Sequence, residues 1–421
     1  MTVALTEKRK QTIINACVEI SNTRTPLIRN VARLIGLLVA SFPAVAHGLL
    51  YYRNLERDKT QALKHSKGQW ERPMVLSKEA LVEIQWLEKH IPYAESPINI
   101  PNPDLIIKTD ASMTAWGAVC EESCTGGPWF EQEARAMHIN ELEMLAVFMG
   151  LQTFAKDKNN SHIKIFTDNT STMLCLNKMG SSKSPKLNKL CKCIWEWCIS
   201  KNIWLSLARI AGRENVEADF QSRHINLDTE WKLDSDILFS ALSLLQFYPI
   251  IDLFASRLNH QFENYMSLKP DPGATGIDAF SINWVDKYFY AFPPFCLLPR
   301  VLQKIKIEMA TGVVIAPYWP AQPFFPLLMK LIIVRPILLS ARKTLLQLPS
   351  HPGIPHPLHK KIRLFVCLVS RKGYKHKAFL NRQPTSCWRH GDQTPQKYML
   401  HTLQNGKGTH LQSKWIQFHH L

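Results

Sequence analysis

The chain has 421 residues, 46% hydrophobic and 20% charged, which excludes an intrinsically disordered protein and predicts two or three globular domains. Its net charge is +17, and residues 351–421 alone hold 12 basic side chains and one acidic side chain. This excess indicates a polyanionic partner, most simply nucleic acid, and a membrane surface is the lesser alternative.

We expect neither an export signal nor a membrane span. The first ten residues are charged, and the longest apolar runs, at 34–50 and 324–339, are interrupted by proline or charge. Neither run supplies the roughly 20 apolar residues that a span requires. Ten cysteines lie scattered without a C-x-x-C pair, which favours reduced thiols. The sequence thus predicts an intracellular protein, cytoplasmic or nuclear.

Residues 1–91 show helical periodicity. A helix is predicted over 77–91 behind a Ser77 cap, with Leu81, Ile84 and Leu87 on one face. Residues 92–103 contain four prolines and predict a linker.

Residues 104–230 alternate strands and helices and predict an α/β domain of modest size. Strands are expected at 104–110, 115–120, 128–130, 162–167 and 203–210. Helices are expected at 140–157, capped by Asn140, then after residue 168, at 185–201 and at 215–223.

The remainder divides into two parts. Residues 231–345 again alternate, with apolar strands around 248–257, 288–295 and 312–320, and predict a second α/β module. Residues 346–421 are basic, and the stretch after 350 holds nine of the 16 histidines with little periodicity. We expect this tail to be poorly ordered.

Acidic residues stand at the ends of several predicted elements. Asp110 and Asp168 each end a strand, Glu143 lies in the first turn of the long helix, and Asp219 follows the last loop. Each has an ordinary structural alternative: a turn, a helix cap, a charge favourable to the helix dipole, or a solvated side chain.

The shared architecture argues against four coincidences. If the first and fourth strands are neighbours, Asp110 and Asp168 lie side by side, and the helix brings Glu143 close. Carboxylates so crowded repel one another unless cations neutralise them. Mg²⁺ prefers oxygen ligands and is the cation expected there, with Mn²⁺ as the alternative.

The motifs that carry these acids resemble the ribonuclease H domain of retroelement reverse transcriptases. They are TDAS (109–112), IN-x-x-E (139–143), TDN (167–169) and G-x-x-N-x-x-A-D-x-x-S-R (212–223), in that order. The resemblance implies an RNase H-like α/β domain, a mixed five-stranded sheet flanked by helices. It also implies that Asp110, Glu143, Asp168 and Asp219 are catalytic and bind metal. Glu141 is a neighbouring candidate, but Glu143 precedes the Met-Leu-Ala run of the motif.

The resemblance implies endonuclease cleavage of the RNA strand of an RNA–DNA hybrid, by two Mg²⁺ ions about 4 Å apart. Asn140 and Asn169 are then candidates for contacts to RNA 2′-hydroxyls, and Asn215 for a further substrate contact. Lys183 and Lys186 belong to a lysine-rich stretch, 178–192, that either tracks phosphates or forms a solvated helix face. Arg209 stands where related domains often place a histidine, and it cannot shuttle protons near neutral pH.

The flanking segments also resemble retroelement sequences. Residues 33–59 resemble the segment that joins polymerase to RNase H in DIRS-type retrotransposons, and residues 251–328 resemble the part that follows RNase H. The polymerase Asp-Asp pair has no counterpart, because no two aspartates are adjacent. We therefore expect a fragment of a larger retroelement polyprotein, whose other parts are possible partners, with residues 1–91 as the helical remnant of a reverse transcriptase thumb or connection.

Residues 231–345 distantly resemble adenine-N6 DNA methyltransferases. IDLFASR (251–257) and FPPF (292–295) stand where the cofactor and catalytic motifs would be. Phe292 replaces the Asp or Asn that holds a flipped adenine, and the cofactor loop lacks its glycines. We expect a degenerate module that neither binds S-adenosylmethionine nor transfers methyl groups.

Two functions from different classes therefore remain. An active hybrid endonuclease is favoured by the complete carboxylate set. A fragment that binds nucleic acid without cutting is favoured by Arg209 and by the missing polymerase. A transposase-type nuclease is disfavoured, since the acids run Asp, Glu, Asp, Asp.

Overall fold

Apolar residues at helical spacing form four helices in the first 90 residues of the computed structural model, which describes residues 1–385, 406–411 and 414–421. They are α1 (Glu7–Asn22), α2 (Ile28–Val39), α3 (Arg53–His65) and α4 (Lys78–His90). The predicted cap of α4 is confirmed, because Ser77 Oγ accepts a hydrogen bond from the Ala80 N–H at 3.2 Å. A fully buried glutamate, Glu83, accepts hydrogen bonds from the N–H groups of Asn54 and Leu55 and so caps α3.

Five strands then form the predicted mixed sheet. They are β3 (Leu105–Ala111), β4 (Ala115–Cys120), β5 (Ser123–Pro128), β6 (Ser161–Thr167) and β7 (Ile203–Arg209), after the short antiparallel pair β1 (Thr2–Ala4) and β2 (Glu95–Pro97). The sheet order is β5-β4-β3-β6-β7. Strand β3 is antiparallel to β4 and parallel to β6, and β6 is parallel to β7.

Five helices accompany this sheet in sequence: α5 (Glu131–Ala136), α6 (Ile139–Phe154), α7 (Thr170–Asn177), α8 (Pro185–Ser200) and α9 (Val216–Arg223). Helix α6 packs on β3 and β4, and α9 packs on β4. The cap of α6 is His138, and not Asn140 as predicted, because His138 and Glu141 form a reciprocal capping box.

The third strand also differs from its prediction at 128–130. It covers Ser123–Pro128 and therefore includes Gly126 and Gly127, which precede the predicted strand. A side chain at Gly126 would lie 2.6 Å from the Trp116 carbonyl oxygen, so this strand position requires glycine.

The chain divides into two compact units at positions other than the predicted domain boundaries. Unit 1 contains residues 1–127 and 136–223, and unit 2 contains residues 128–135 and 224–421. The N-terminal helices therefore belong with the five-stranded sheet. Inside unit 1, the Lys192 ammonium lies 4.9 Å from the Tyr51 ring centroid, and β2 lies in the predicted linker.

Unit 2 contains a second sheet. Its helices are α10 (Ser235–Leu245), α11 (Leu298–Glu308), α12 (Phe324–Met329) and α13 (Gly373–Asn381). Its strands are β8 (Lys232–Leu233), β9 (Ile251–Asp252), β10 (Met266–Ser267), β11 (Gly276–Ile277), β12 (Phe289–Ala291), β13 (Thr311–Pro317), β14 (Ile337–Leu339), β15 (Leu346–Gln347), β16 (Leu364–Ser370), β17 (Gly408–Leu411), β18 (Lys414–Gln417) and β19 (His419–His420). Six of these strands form the sheet, in the order β9-β12-β13-β16-β14-β19.

The predicted second α/β module is present but does not end at residue 345. Strand β16 lies between β13 and β14, antiparallel to both, and all seven of its residues are buried. Alternate residues of β16, such as Phe365 and Val366, enter two separate cores, so both faces of the sheet are covered. A strand buried on both faces lacks alternation, which is why the sequence suggested a poorly ordered tail instead. The remainder of that prediction, 386–405 and 412–413, lies outside the described residues.

None of the helices in the described residues is long and apolar enough to cross a membrane.

Candidate active site

Two aspartates lie at one edge of the five-stranded sheet. Asp110 is the next-to-last residue of strand β3, and Asp168 follows the last residue of β6. Because β3 and β6 are parallel neighbours, with Lys108 opposite Phe166, their carboxyl ends meet at the same edge. The sequence-based expectation that the two carboxylates lie side by side rests on this pairing.

Glu143 completes a cluster of three carboxylates. It lies in the second turn of α6, which packs on β3. One carboxylate oxygen each from Asp110, Glu143 and Asp168 lies within 4.8 Å of the other two. The choice of Glu143 over Glu141 agrees with this geometry, since Glu141 Oε2 instead accepts a hydrogen bond from the His138 N–H at 3.0 Å.

Glu143 is the most strongly perturbed member of the cluster. Its side chain is buried, and its Oε2 atom has no hydrogen-bond partner. Burial, with the nearby carboxylates of Asp110 and Asp168, raises the pKa of Glu143 to about 9, against a hydrogen bond from the Ala111 N–H. Without a cation, Glu143 is therefore protonated at neutral pH.

Asp110 is held by a residue that the sequence reasoning did not assign. Ser222 Oγ, fully buried on α9, donates a hydrogen bond to Asp110 Oδ2 at 2.5 Å. Burial raises the pKa of Asp110, the Ser222 hydrogen bond opposes that rise, and Asp168 and Asp219 add to it. The available signal was the spacing of Asp219 and Ser222, three residues apart and hence on one helix face.

Asp219, the fourth predicted ligand, lies outside the cluster of three. Its Oδ1 atom accepts a hydrogen bond from Arg223 Nε at 2.6 Å, one turn along α9. Helix α9 approaches β4 very closely, since a Cβ atom at Gly117 would lie 2.2 Å from the Ala218 carbonyl oxygen. This close approach brings Asp219 near enough to affect the pKa of Asp110.

The helix after β6 is capped by Asn169. Asn169 Oδ1 accepts a hydrogen bond from the Thr172 N–H at 2.9 Å, so the helix cap considered as the structural alternative for Asp168 is provided by Asn169. Asp168 is thereby left free of a capping hydrogen bond. Asn169 Nδ2 also donates to Asn140 Oδ1 at 2.9 Å, which links two candidate substrate contacts beside the cluster.

Asn215 is a structural support in this arrangement. It is 1% exposed, and its Nδ2 atom donates a hydrogen bond to the Thr109 carbonyl oxygen at 3.0 Å. The bond fixes the loop before α9 to the residue preceding Asp110. The direct substrate contact at Asn215 stays a prediction, and the side chain is buried, with its Oδ1 atom lacking a hydrogen-bond partner.

The basic candidates occupy different environments. Lys183 and Lys186 are both exposed, and Lys186 also donates a hydrogen bond to the Ala136 carbonyl oxygen at 3.1 Å. Lys192, further along α8, is half-buried against Tyr51 and Glu196 and does not form part of an open phosphate-binding face. Arg209 is exposed at the end of β7, opposite Thr167 in register, beside the residue that precedes Asp168.

The chemistry of the cluster fits a divalent cation. It supplies three carboxylates, and the orphaned Oε2 atom of Glu143 is a buried acceptor that a cation would satisfy. Magnesium and manganese bind such oxygen ligands. Asp110, Glu143 and Asp168 are the residues that would hold the ion.

Comparison with known proteins agrees with this arrangement. Residues 101–196 match the family described as the RNase H-like domain found in reverse transcriptase. Residues 101–196, which lie mostly in unit 1, are thus similar to the RNase H-like domain of reverse transcriptases. The matched residues include Asp110, Glu143 and Asp168, and Asp219 lies beyond them.

Two viral polyproteins are similar to part of this chain. The enzymatic polyprotein of carnation etched ring virus is 30% identical over 130 residues, which are 28% of this chain and 19% of that protein. A polyprotein of cassava vein mosaic virus is 26% identical over 148 residues, 33% of this chain and 22% of that protein. The matches thus span about a fifth of the length of these relatives.

Solved structures are similar at low identity. RNase H1 from Halobacterium salinarum is 17% identical, with a TM-score of 0.24, and the match covers 28% of this chain and 92% of that chain. LC11-RNase H1 in complex with an RNA/DNA hybrid is 17% identical, with a TM-score of 0.25, and the match covers 28% of this chain and 93% of that chain. The foamy viral protease-reverse transcriptase dRH in complex with double-stranded DNA is 13% identical, with a TM-score of 0.20, and the match covers 49% of this chain and 36% of that chain.

Proposed function

We propose that the chain is a metal-dependent endonuclease that cuts the RNA strand of an RNA–DNA hybrid. The observation that carries the proposal is the convergence of Asp110, Glu143 and Asp168 within 4.8 Å, with a buried Glu143 oxygen that no protein group satisfies. Carboxylates in this number and at this separation are unfavourable unless a cation neutralises them. The match of residues 101–196 to the RNase H-like family supports the same reaction.

The carboxylates would hold Mg²⁺ or Mn²⁺, with Asp219 as a further ligand at the edge of the cluster. Such ions activate a water molecule and stabilise the leaving oxygen in phosphodiester hydrolysis. Ser222 keeps one oxygen of Asp110 in place through its hydrogen bond, and Asn215 fixes the neighbouring residue Thr109. These two contacts hold the strand that carries the first ligand, and geometry of this kind determines metal affinity.

Substrate recognition is assigned to the rim of the cluster. The linked side chains of Asn140 and Asn169 provide amide groups for RNA 2′-hydroxyls, which distinguish RNA from DNA. The exposed side chains of Lys183 and Arg209 would contact backbone phosphates of the substrate. Lys186 would do the same after releasing the Ala136 carbonyl oxygen. Arg209 provides charge but no proton transfer, so we expect slow turnover.

One assay tests the reaction. The full chain is incubated with a hybrid labelled on the RNA strand, and with duplex DNA, in Mg²⁺ or Mn²⁺. We expect cleavage of the RNA strand only, its loss in Asp168→Asn, and full activity in Asp157→Asn, an exposed acid of the same domain. If the folded wild-type chain leaves the hybrid intact in both metals, the proposal is wrong.

A second candidate is a nucleic-acid-binding fragment that does not cut. It is favoured by the pairing of Asp219 with Arg223 at 2.6 Å, which engages the fourth acid within α9. One experiment distinguishes the two functions: hybrid affinity is measured in EDTA, and hybrid cleavage is measured after metal is added. A fragment that only binds nucleic acid would bind the hybrid in EDTA and would not cut it after the metal is added. An origin in a DIRS-type retroelement polyprotein belongs to the same proposal and rests on the resemblance of residues 251–328.

A further inference from the structure

Helix α9 ends beside the carboxylate cluster. Ser222 Oγ donates a hydrogen bond to Asp110 Oδ2, and the Ser222 carbonyl oxygen accepts one from Ser112 Oγ at 2.8 Å. The helix also lies very close to β4, since a Cβ atom at Gly117 would lie 2.8 Å from the backbone nitrogen of Ser222. These contacts hold the last turn of α9 at the end of β3, and Arg223 is the last residue of that turn.

Arg223 is paired with an acid of its own helix. Its Nε–H donates a hydrogen bond to Asp219 Oδ1 at 2.6 Å, one turn earlier in α9. The side chains of Arg223 and Asp219 are 64% and 39% exposed, and among the described residues no acceptor bonds to the two amino groups of Arg223. An ion pair this exposed contributes little to stability, so its opening costs little.

The charge of Arg223 also acts on the cluster of three carboxylates. The hydrogen bond with Asp219 raises the pKa of Arg223, and the carboxylates of Asp110 and Asp168 add to the rise. Burial raises the pKa of Asp110, and Arg223 is one of the groups that oppose this rise. Arg223 is therefore a permanent positive charge within electrostatic reach of two of the clustered acids.

Asp219 is the acid at which an arginine and a divalent cation would compete. The cluster itself consists of Asp110, Glu143 and Asp168, and the unpartnered Oε2 atom of the buried Glu143 side chain points to a cation there. A cation that also bound Asp219 would meet a guanidinium on the same carboxylate, and the two positive charges would repel each other. Pairing with Arg223 and metal ligation by Asp219 therefore disfavour one another.

An arginine that leaves Asp219 has an acceptor in the phosphodiester backbone of the substrate. A guanidinium is planar and always charged, and its fork of N–H donors fits a phosphate group with two parallel hydrogen bonds. The neighbouring residue Ser222 holds the backbone of Arg223 at the cluster, and the exposed side chain of Arg223 is open to an approaching phosphate.

We propose that Arg223 is a phosphate-binding residue of the site, and that its pairing with Asp219 competes with a divalent cation at that carboxylate. The inference rests on the proposed function and deepens it, since it couples metal binding to the capture of the substrate backbone. The competing explanation is an ordinary surface pair along one helix, which would affect neither metal binding nor hybrid binding.

The test compares Arg223→Ala and Arg223→Lys with the wild type, all in the full chain. Arg29→Ala is the matched control, because Arg29 also donates from Nε to a carboxylate, that of Glu71, and both of these side chains are 63% exposed. Three quantities are measured: Mn²⁺ affinity by calorimetry without substrate, hybrid affinity in EDTA, and KM for hybrid cleavage in Mn²⁺.

We expect Arg223→Ala to bind Mn²⁺ about threefold more tightly, because a competing cation in an exposed pair has been removed. KM for the hybrid should rise about tenfold, the effect of losing a charge-assisted bidentate contact. Hybrid affinity in EDTA should change by less than about twofold, since Asp219 then engages Arg223. Arg223→Lys should keep the Mn²⁺ affinity of the wild type and raise KM by about threefold, because lysine has the charge without the planar fork.

Three results would overturn the inference. They are an unchanged or weakened Mn²⁺ affinity in Arg223→Ala, an unchanged KM in that variant, and equal changes in Arg29→Ala. A tenfold loss of hybrid affinity in EDTA would also overturn it, because Arg223 would then bind phosphate without competition at Asp219.

Failure of the proposed function can be distinguished from failure of this inference. If the wild-type chain does not cut the hybrid, the proposed function is wrong, and hybrid affinity in Mn²⁺ replaces KM. Equal Mn²⁺ affinity, and equal hybrid affinity with and without Mn²⁺, in wild type and Arg223→Ala would then refute the role of Arg223 separately.

Discussion

Ser222 donates a hydrogen bond from its fully buried hydroxyl to Asp110 Oδ2 at 2.5 Å, across 112 residues of sequence. The contact joins helix α9 to strand β3. It opposes the rise in the pKa of Asp110 that burial causes, and so favours the ionised form that binds a cation.

Replacing this hydroxyl should weaken the metal site. We expect Ser222→Ala to raise the Mg²⁺ concentration for half-maximal cleavage by about tenfold, because Asp110 loses both its orientation and part of its tendency to ionise. Ser200→Ala, an exposed serine whose hydroxyl bonds to a helix carbonyl oxygen, is the control. An unaltered Mg²⁺ dependence in Ser222→Ala would show that Asp110 needs no such support.

The acids of the site should differ in their importance. Asp110→Asn and Asp168→Asn should abolish cleavage with little loss of stability, since each removes repulsion within the cluster. Asp219→Asn should lower activity less, because Asp219 lies outside the cluster and pairs with Arg223. Rates of hybrid cleavage and urea midpoints for the three variants decide this, and equal losses of activity would place Asp219 among the principal ligands.

The stability of the metal-free protein should fall as pH rises. The pKa of Glu143 is about 9 in the folded chain, against 4.5 as its ordinary value, so between these pH values the folded state binds more protons than the unfolded state. The free energy of unfolding then decreases with pH, by on the order of 3 kcal/mol up to pH 7 for this group.

Glu143→Gln should remove that part of the pH dependence. Glu83 and Asp252 contribute with the same sign only up to their own pKa values of about 6 and about 7. Between about pH 7.5 and 8.5 the buried thiols of Cys17 and Cys198, whose pKa burial raises to about 12, contribute with the same sign, so the difference between wild type and Glu143→Gln in urea and EDTA isolates Glu143. Mg²⁺ should restore stability by binding the folded state. Parallel pH profiles for wild type and Glu143→Gln would contradict the assignment.

The basic C-terminal region should add affinity without specificity. Deleting residues 351–421 would also remove β16 from the sheet of unit 2 and so would not test the charge alone. Replacing exposed Arg371 and Lys377 by glutamine should instead weaken hybrid and duplex binding alike and flatten the dependence of log affinity on log salt. The pair Lys8→Gln and Lys89→Gln is the control, and identical salt slopes would remove this region from the interface.

We expect no binding of S-adenosylmethionine to unit 2. Phe292, directly after β12, has no polar side-chain atom, and the loop after Asp252 is closed by its own hydrogen bonds. In that loop the Ser256 N–H donates to Asn259 Oδ1 at 2.7 Å, and the Arg257 side chain is engaged by Glu133. Calorimetric titration of the full chain checks this, and saturable micromolar binding would restore the methyltransferase interpretation.

The sequence by itself located four of the five strands of the mixed sheet and three acids at its edge, but it misplaced the third strand and did not predict α5. Buried strands that end on Asp110 and Asp168, and an apolar helix that begins near Glu143, are local patterns, since periodicity and end residues depend on neighbours a few positions away. The order of four spaced motifs supplied the family resemblance, which the match of residues 101–196 supports.

Only the tertiary structure decided the contacts between distant segments. It assigned Ser222 to Asp110, Asn215 to Thr109 and the cap of α7 to Asn169, because these partners are set by how α9 and α6 pack on the sheet. It also placed residues 128–135 and strand β16 inside unit 2. Neither placement has a local signal, since a strand covered on both faces does not alternate, and the ion pair of Glu133 with Arg257 joins residues 124 positions apart.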